Sequence, residues 1–294
     1  MKWTVIFVTL LLVNACSSGA KKKTSKIGDR PEVYLETFDQ IANPGEEVAL
    51  KMRLFDDQAV FPYWNQMQGE VVELLFGGKL LATHKLDAAD HDIVFKTKVP
   101  QEEGIYVYDV RLASQSKFSA SSKIVISVAQ KCHPALIVDI DHTIADISSL
   151  KFLFVDYQEI PMLPKSQQVM QQFAAKFNLI YLTARSEIFK RETKQWLELM
   201  GFPQGPTFFW SLKHDPFFAG DYKVAAIMNM KRKYHNIVAG VGDKPSDLRA
   251  YKENGIPAIF IGASPTDFEG AISTTSWEKI GQVVPTLKNA RECL

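Results

Sequence analysis

The residues of this chain that could do chemistry together are few, and they come in order. Asp139 and Asp141 stand two apart, with Thr143 two further on, at the end of the apolar run of residues 135–140. Thr183 closes a second apolar run, residues 178–183, and Ala184 and Arg185 follow it. Lys223 comes next, and then Gly242-Asp243-Lys244-Pro245-Ser246-Asp247 at the end of residues 236–242. Carboxylates in this number can hold a hard divalent cation through oxygen, attack an electrophile, or move a proton. A lysine and hydroxyls can hold the oxygens of an anion as its charge spreads. A single Asp-x-Asp is weak evidence, because two carboxylates can merely cap a helix. Four such elements, each at a run's end or a helix start, are a much stronger signal.

Residues so far apart in sequence need a scaffold that gathers the ends of several runs. Five apolar runs, residues 135–140, 178–183, 206–211, 236–242 and 257–262, alternate with helical patterns. The first is nearly continuous, as in a strand buried on both faces. In residues 166–177, Val169, Met170, Phe173 and Phe177 share a helical face; in residues 186–200, Phe189, Thr193, Trp196 and Met200 do so. Two more helices are expected over 223–234, which Lys223 begins, and over 246–254. Gly201 and Gly255 stand as C-terminal stops. Alternating strands and helices predict a parallel α/β sheet wound on both faces, with ligands beyond the carboxyl ends of the strands.

The order DxDxT, Thr after a strand, Lys, then GDxxxD resembles the haloacid dehalogenase (HAD) superfamily of phosphotransferases, whose fold is Rossmann-like. The segments 139–143, 181–185, 201–206, Lys223, 240–247 and Ala250-Tyr251 are further similar to the catalytic domain of lipin-type phosphatidate phosphatases. They also resemble the lipin-related domain of phosphatidylinositol-transfer proteins. This similarity runs over roughly residues 135–262. The resemblance implies a Mg²⁺-dependent phosphatase in which Asp139 attacks phosphorus to form an aspartyl phosphate. Asp141 would protonate the leaving alkoxide and then activate water. Asp139, Asp141 through its backbone carbonyl, and Asp243 would hold Mg²⁺, and Thr183 and Lys223 would bind phosphoryl oxygens. Thr143 supports the loop. Asp247 orients Lys223 or the metal waters, or is only an early-turn helix acid. His142 departs from the glycine usual at its position.

Too few residues separate the strands for a large lid domain, so an open site under a short flap near residues 148–164 is expected. Leu150, Phe152, Leu153 and Phe154 of that flap, and Phe217 and Phe218 before Lys223, either touch acyl chains or pack against the preceding domain. His214 reads as a surface loop residue. A lipid phosphate such as phosphatidate is the expected substrate. The competing readings are a scavenging phosphatase for soluble nucleotides or sugar phosphates, and a non-catalytic module that binds lipid phosphate.

Before this domain, residues 31–130 hold short strand-like runs separated by turn signals, Gly77-Gly78 among them. They predict a β-sandwich. The segment 102–108 resembles the tyrosine corner of immunoglobulin-like domains, with Tyr106 as corner and Tyr108 in the core. Phe61-Pro62-Tyr63-Trp64 covers a sheet end or meets the neighbouring domain. The chain thus divides into a signal at 1–15, a tether at 16–30, the sandwich at 31–130 and the HAD-like domain at 131–294.

The start, Met1-Lys2 followed by an apolar run to Val13, describes a secretory signal. Its end, Val13-Asn14-Ala15-Cys16, resembles a bacterial lipobox. That implies lipidation of Cys16, a membrane contact through the anchor, and an address in the cell envelope, at the outer membrane. The remaining cysteines, Cys132 and Cys293, would then sit in an oxidising compartment. Cys132 precedes the first parallel strand, and a helix from residue 276 should run back toward the strands' starting ends, so a Cys132–Cys293 disulfide is expected. The whole chain has 294 residues, 46% of them hydrophobic, with 34 basic against 33 acidic side chains. That composition excludes wholesale disorder, and the near-zero net charge gives no support to a nucleic-acid partner.

Overall fold

Alternating side chains before residue 130 build eight strands. The computed structural model describes residues 33–56, 67–87, 90, 92–148, 151–211, 219–264 and 267–287. Strands β1 (Val33–Thr37), β3 (Glu47–Asp56) and β6 (Ile93–Lys98) form one sheet in the order β1-β3-β6. The others are β2 (Gln40–Ala42), β4 (Val71–Phe76), β5 (Lys79–Lys85), β7 (Gly104–Leu112) and β8 (Ser121–Val128). They form a second sheet in the order β2-β8-β7-β4-β5. Leu35, Leu50 and Leu54 of the first sheet and Val72, Leu74, Val110 and Ile126 of the second meet in one core, which makes the pair a sandwich. Gly77 and Gly78, both at positive φ, turn the β4–β5 hairpin. The Tyr106 hydroxyl donates to the Glu102 carbonyl at 2.9 Å, the hydrogen bond a tyrosine corner requires. Tyr108 is buried and stacks on Phe76 at 4.8 Å, so it serves packing.

The second half is a six-stranded sheet in the order β11-β10-β9-β12-β13-β14. Its strands are β9 (Ala135–Val138), β10 (Asn178–Ser186), β11 (Thr207–Trp210), β12 (Ile237–Gly242), β13 (Ala258–Ile261) and β14 (Ile272–Thr274), all paired in parallel. Along β9, Leu136 and Val138 enter one core while Ala135 and Ile137 enter the other. Residues of α1 (Ser166–Ala174), α2 (Lys190–Leu199) and α5 (Trp277–Val283) pack into the first. Residues of α3 (Ala219–Met230) and α4 (Pro245–Glu253) pack into the second. The sheet is therefore wound on both faces. The strand order reverses between β9 and β12, where such sheets bind ligands.

The elements depart from expectation in a few places. Lys223 lies one turn inside α3, not at its start. The run into α2 stays strand through Ser186, because β10 resumes pairing with β11 after an irregularity between Thr183 and Ser186. A 3-10 turn, Glu187–Phe189, then leads into α2. β2 and β14, at three residues each, are too short for a periodicity to show. Gly201 and Gly255 do take the left-handed conformation that ends a helix. Cys132 is disulfide-bonded. Cys16, Cys293, residues 1–30, Phe61 to Trp64, Leu150, His214, Phe217 and Phe218 lie outside the described residues. Among the described residues no helix is long and apolar enough to cross a membrane.

The sandwich and the α/β half are joined by buried polar groups. Asp39 Oδ1 accepts from the Val125 amide at 2.9 Å and from Lys194 Nζ at 2.8 Å, while its Oδ2 accepts from the Thr207 amide at 3.0 Å. Glu36 accepts from Lys190 at 2.9 Å, both side chains nearly fully buried. Tyr234 donates to the Ser127 carbonyl at 2.7 Å. Removing one acceptor that serves several buried donors leaves them unsatisfied. Asp39→Ala is therefore expected to lower unfolding free energy by about 3 kcal/mol, read by denaturant titration; a change within about 0.5 kcal/mol, the size of an ordinary surface substitution, would contradict this account of the interface.

Candidate active site

The site is built at the carboxyl ends of β9, β10 and β12. Asp139 follows β9 directly, and its amide still donates to the Val241 carbonyl of β12 at 3.0 Å. The chain then turns tightly: the amides of Thr143, Ile144 and Ala145 all donate to the Ile140 carbonyl. His142, at φ +52°, supplies the left-handed residue this turn needs. Histidine is among the few non-glycine types that visit that region, so the loop keeps its turn without glycine. The Thr143 carbonyl accepts from the Trp277 indole at 2.7 Å, which ties the loop to α5. Thr143 Oγ1 donates to Asp139 Oδ2 at 3.4 Å.

Asp139, Asp243 and Asp247 converge, with one carboxylate oxygen of each within 4.8 Å of the others. Lys223 reaches into this cluster from α3, donating to Asp139 Oδ1 at 2.5 Å and Asp247 Oδ1 at 2.6 Å. Asp247 has two partners. Its Oδ1 holds Lys223, and its Oδ2 accepts from the Lys244 amide at 3.1 Å at the start of α4. Gly242 makes this possible, because a methyl group there would overlap the Asp247 side chain.

Burial pushes the Asp139 carboxyl up to about 7; Lys223 lowers it while Asp247 and Asp141 raise it further. Burial likewise pushes Asp243 up to about 6. Burial alone would lower the Lys223 ammonium, but Asp139 and Asp247 hold it above its ordinary value. Three carboxylates against one ammonium leave the cluster two charges negative when all are ionised. Asp243 Oδ1 is buried without a hydrogen-bond partner. Both observations fit a divalent cation held by Asp139, Asp243 and Asp247.

Asp141 stands apart from this cluster. Its carboxylate is gripped by Arg185: Nε donates to Oδ1 at 3.0 Å and Oδ2 at 3.2 Å, and Nη2 to Oδ1 at 2.8 Å. The carboxylate is therefore not a member of the acidic cluster, where Asp247 stands instead; the backbone carbonyl remains the contribution to a cation expected of Asp141. Thr183 lies at the same end of the sheet, two residues past the Tyr181–Val138 pair, and its Oγ1 accepts from the Arg185 amide at 3.1 Å.

The site is more enclosed than the short flap suggests. Asp139, Asp141, Lys223 and Asp247 are all buried, while Asp243 is partly buried and His142 exposed. Of the flap aromatics, Phe152 packs over the Arg185 guanidinium at 4.0 Å and against Phe189 at 5.5 Å, within the α/β half. Phe154 is 83% exposed. Arg185 and Trp277 are the residues here to which sequence reasoning gave no role. A charged side chain two residues past the apolar run that ends at Thr183 is the available signal for Arg185; nothing local marks Trp277.

Residues 136–261 match the family model described as PITM 1-3, LNS2 domain. The human membrane-associated phosphatidylinositol transfer protein 3 is 24% identical over 177 residues, which cover 59% of this chain and 17% of that protein. The matched part thus spans about a sixth of the curated relative. Among solved structures, a Clostridium difficile protein proposed to be a phosphatase aligns at TM-score 0.38 and 12% identity, covering 53% of this chain and all of that one. A Thermotoga maritima protein proposed to be a β-phosphoglucomutase aligns at 0.41 and 13%, covering 52% of this chain and 98% of that one.

The raised carboxyls set a pH dependence. With no cation present, Asp139 and Asp243 favour the folded state most when protonated. That contribution is complete below about pH 4, where the unfolded groups also are protonated, and it is lost as pH rises through about 6 and about 7. A cation must displace these protons. Excess Mg²⁺ is therefore expected to raise the melting temperature more at pH 8 than at pH 5, measured against chelator-treated protein. An increment independent of pH, or none, would contradict the assignment.

Proposed function

We propose that this chain is a divalent-cation-dependent phosphomonoester hydrolase acting on a lipid phosphate, with phosphatidate as the leading candidate. The observation that carries the reading is the convergence of Asp139, Asp243 and Asp247 around Lys223 at the strand ends. A phosphate monoester is itself an anion and repels an attacking carboxylate. Mg²⁺ held by Asp139, Asp243 and Asp247, with the Asp141 carbonyl, would supply the positive charge that lets the two approach. Asp139 is the nucleophile, and Lys223 and Thr183 hold phosphoryl oxygens. Asp141 gives its proton to the departing alkoxide and then takes one from the water that hydrolyses the aspartyl phosphate. The lipid reading is supported by the match of residues 136–261 to the LNS2 model and by the relative named for phosphatidylinositol transfer.

That relative's name also favours a second reading, in which this half binds lipid phosphate without turnover. A panel separates the readings: phosphatidate in mixed micelles against soluble nucleotide and sugar phosphates, with and without Mg²⁺. Mg²⁺-dependent release from phosphatidate is expected. Release from soluble esters alone would move the assignment to a scavenging phosphatase, and binding without release would move it to a lipid-binding module. Asp139→Asn is expected to abolish release while the protein stays folded by circular dichroism; wild-type turnover in that variant would sink the mechanism.

The same proposal places the protein at the bacterial cell envelope, with Cys16 lipidated, residues 16–30 as its tether, and the outer membrane as its site. It also pairs Cys132 with Cys293. Thiol labelling of the unreduced, denatured protein should leave both cysteines unmodified, and labelling of the two would disprove the bond.

A further inference from the structure

We propose that Arg185 is a positioning residue for the leaving-group step, holding Asp141 in the orientation from which it exchanges its proton. This rests on the phosphatase reading and adds to it a residue that reading does not use. The geometry is specific. Two guanidinium nitrogens reach Oδ1, at 2.8 and 3.0 Å, whereas the contact to Oδ2 is the longest of the three, at 3.2 Å. The guanidinium thus grips both carboxylate oxygens, most closely Oδ1. Arg185 is fixed in turn at its side chain and its backbone. Nη1 donates to Thr193 Oγ1 of α2 at 3.0 Å, the Phe152 ring of the flap lies over it at 4.0 Å, and its own backbone amide donates to Thr183. Arg185 is 1% exposed, so a salt link of this kind is not a surface accident.

Arginine is required by this arrangement. Only its planar fork can place two donors on one carboxylate while a third nitrogen serves Thr193 and the face meets an aromatic ring. The reaction explains why the orientation matters. When the bond between phosphorus and the leaving oxygen breaks, the electron pair stays on that oxygen, and a proton from Asp141 neutralises it as Asp139 bonds to phosphorus. In the return step a water proton passes to Asp141, the water oxygen bonds to phosphorus, and the bond from phosphorus to Asp139 breaks. Both transfers need the carboxyl held in one orientation, which the guanidinium grip secures.

The experiment compares leaving groups in the full-length protein with Mg²⁺. An aryl phosphate, p-nitrophenyl phosphate, expels a phenolate that needs little help from a proton; an alkyl phosphate, phosphatidate in mixed micelles, does need it. General acid help is worth about 10²–10⁴-fold. Arg185→Gln and Arg185→Lys are therefore expected to lower kcat on the alkyl ester by at least about 100-fold and on the aryl ester by less than about 10-fold. Lysine does not rescue, because it cannot reproduce the fork. Thr193→Val, which leaves every reacting group in place, should shift the same ratio in the same direction by a smaller factor, and it serves as the test where an Arg185 variant does not fold. Equal losses on the two esters, full rescue by lysine, or an unchanged ratio in Thr193→Val in a soluble, active protein would overturn the positioning role alone. A wild type that releases phosphate from neither ester would overturn the phosphatase reading and this proposal with it.

Discussion

The α/β half is organised around a buried ammonium held between two buried carboxylates. Lys223 sits between Asp139 and Asp247 with all three side chains removed from solvent. Taking these charges out of water costs several kcal/mol per ion, and only close geometry returns it. That geometry needs three elements at once: the end of β9, the second turn of α3 and the first turn of α4. A shift of any of them leaves a charge buried without its partner. The site is thus a constraint on how the elements pack, as well as their product. The same cluster carries more negative charge than Lys223 can balance, and one Asp243 oxygen is buried without a hydrogen-bond partner.

The small residues of β12 follow from this requirement. At Gly240 a methyl group would run into the Tyr251 ring, and at Gly242 into Asp247. Helix α4 therefore lies close over β12, and the Tyr251 hydroxyl donates to the Val241 carbonyl at 3.0 Å. Glycine is used here for the close approach of a helix to a strand, while at Gly77 and Gly78 it serves backbone conformation. The two uses look alike in sequence and differ in what a substitution would do: overlap in the core at one, strain in a turn at the other.

Much of the fold was legible because its strands are buried on both faces and read as continuous apolar runs. The charged and hydroxyl residues at their ends then marked the site. Topology placed Asp139, Lys223, Asp243 and Asp247 at strand ends or helix starts, while their roles followed only from the resemblance. What was not legible depended on side-chain geometry across the sheet. Asp141 and Arg185 lie 44 residues apart, and no periodicity predicts that a guanidinium takes one of the two carboxylates of the Asp-x-Asp pair. Trp277 is farther still from Thr143, whose carbonyl it holds, and its role depends on α5 returning beside the loop after β9. The start of α2 was misjudged for a related reason: an irregularity in β10 lets the strand pair with β11 beyond the point where the helical pattern begins.

The edge of the sheet and the helix after β10 join the two halves of the molecule. β11 is an edge strand, and the backbone groups on the outer side of an edge need partners or protection. Asp39 of the sandwich accepts from the Thr207 amide of β11 and, on the same side, from Lys194 of α2. Glu36 takes Lys190 at the start of that helix, one residue after Phe189 and three before Thr193. Phe189 packs on Phe152, whose ring covers Arg185, and Thr193 accepts from Arg185 directly. The sandwich therefore grips the very turn and helix that hold the guanidinium on Asp141. A domain attached only as a spacer would need none of these buried polar contacts, and each costs desolvation that a flexible linker avoids. Their placement, on the element behind Arg185 and the edge strand beside it, makes the sandwich part of the framework that fixes the site.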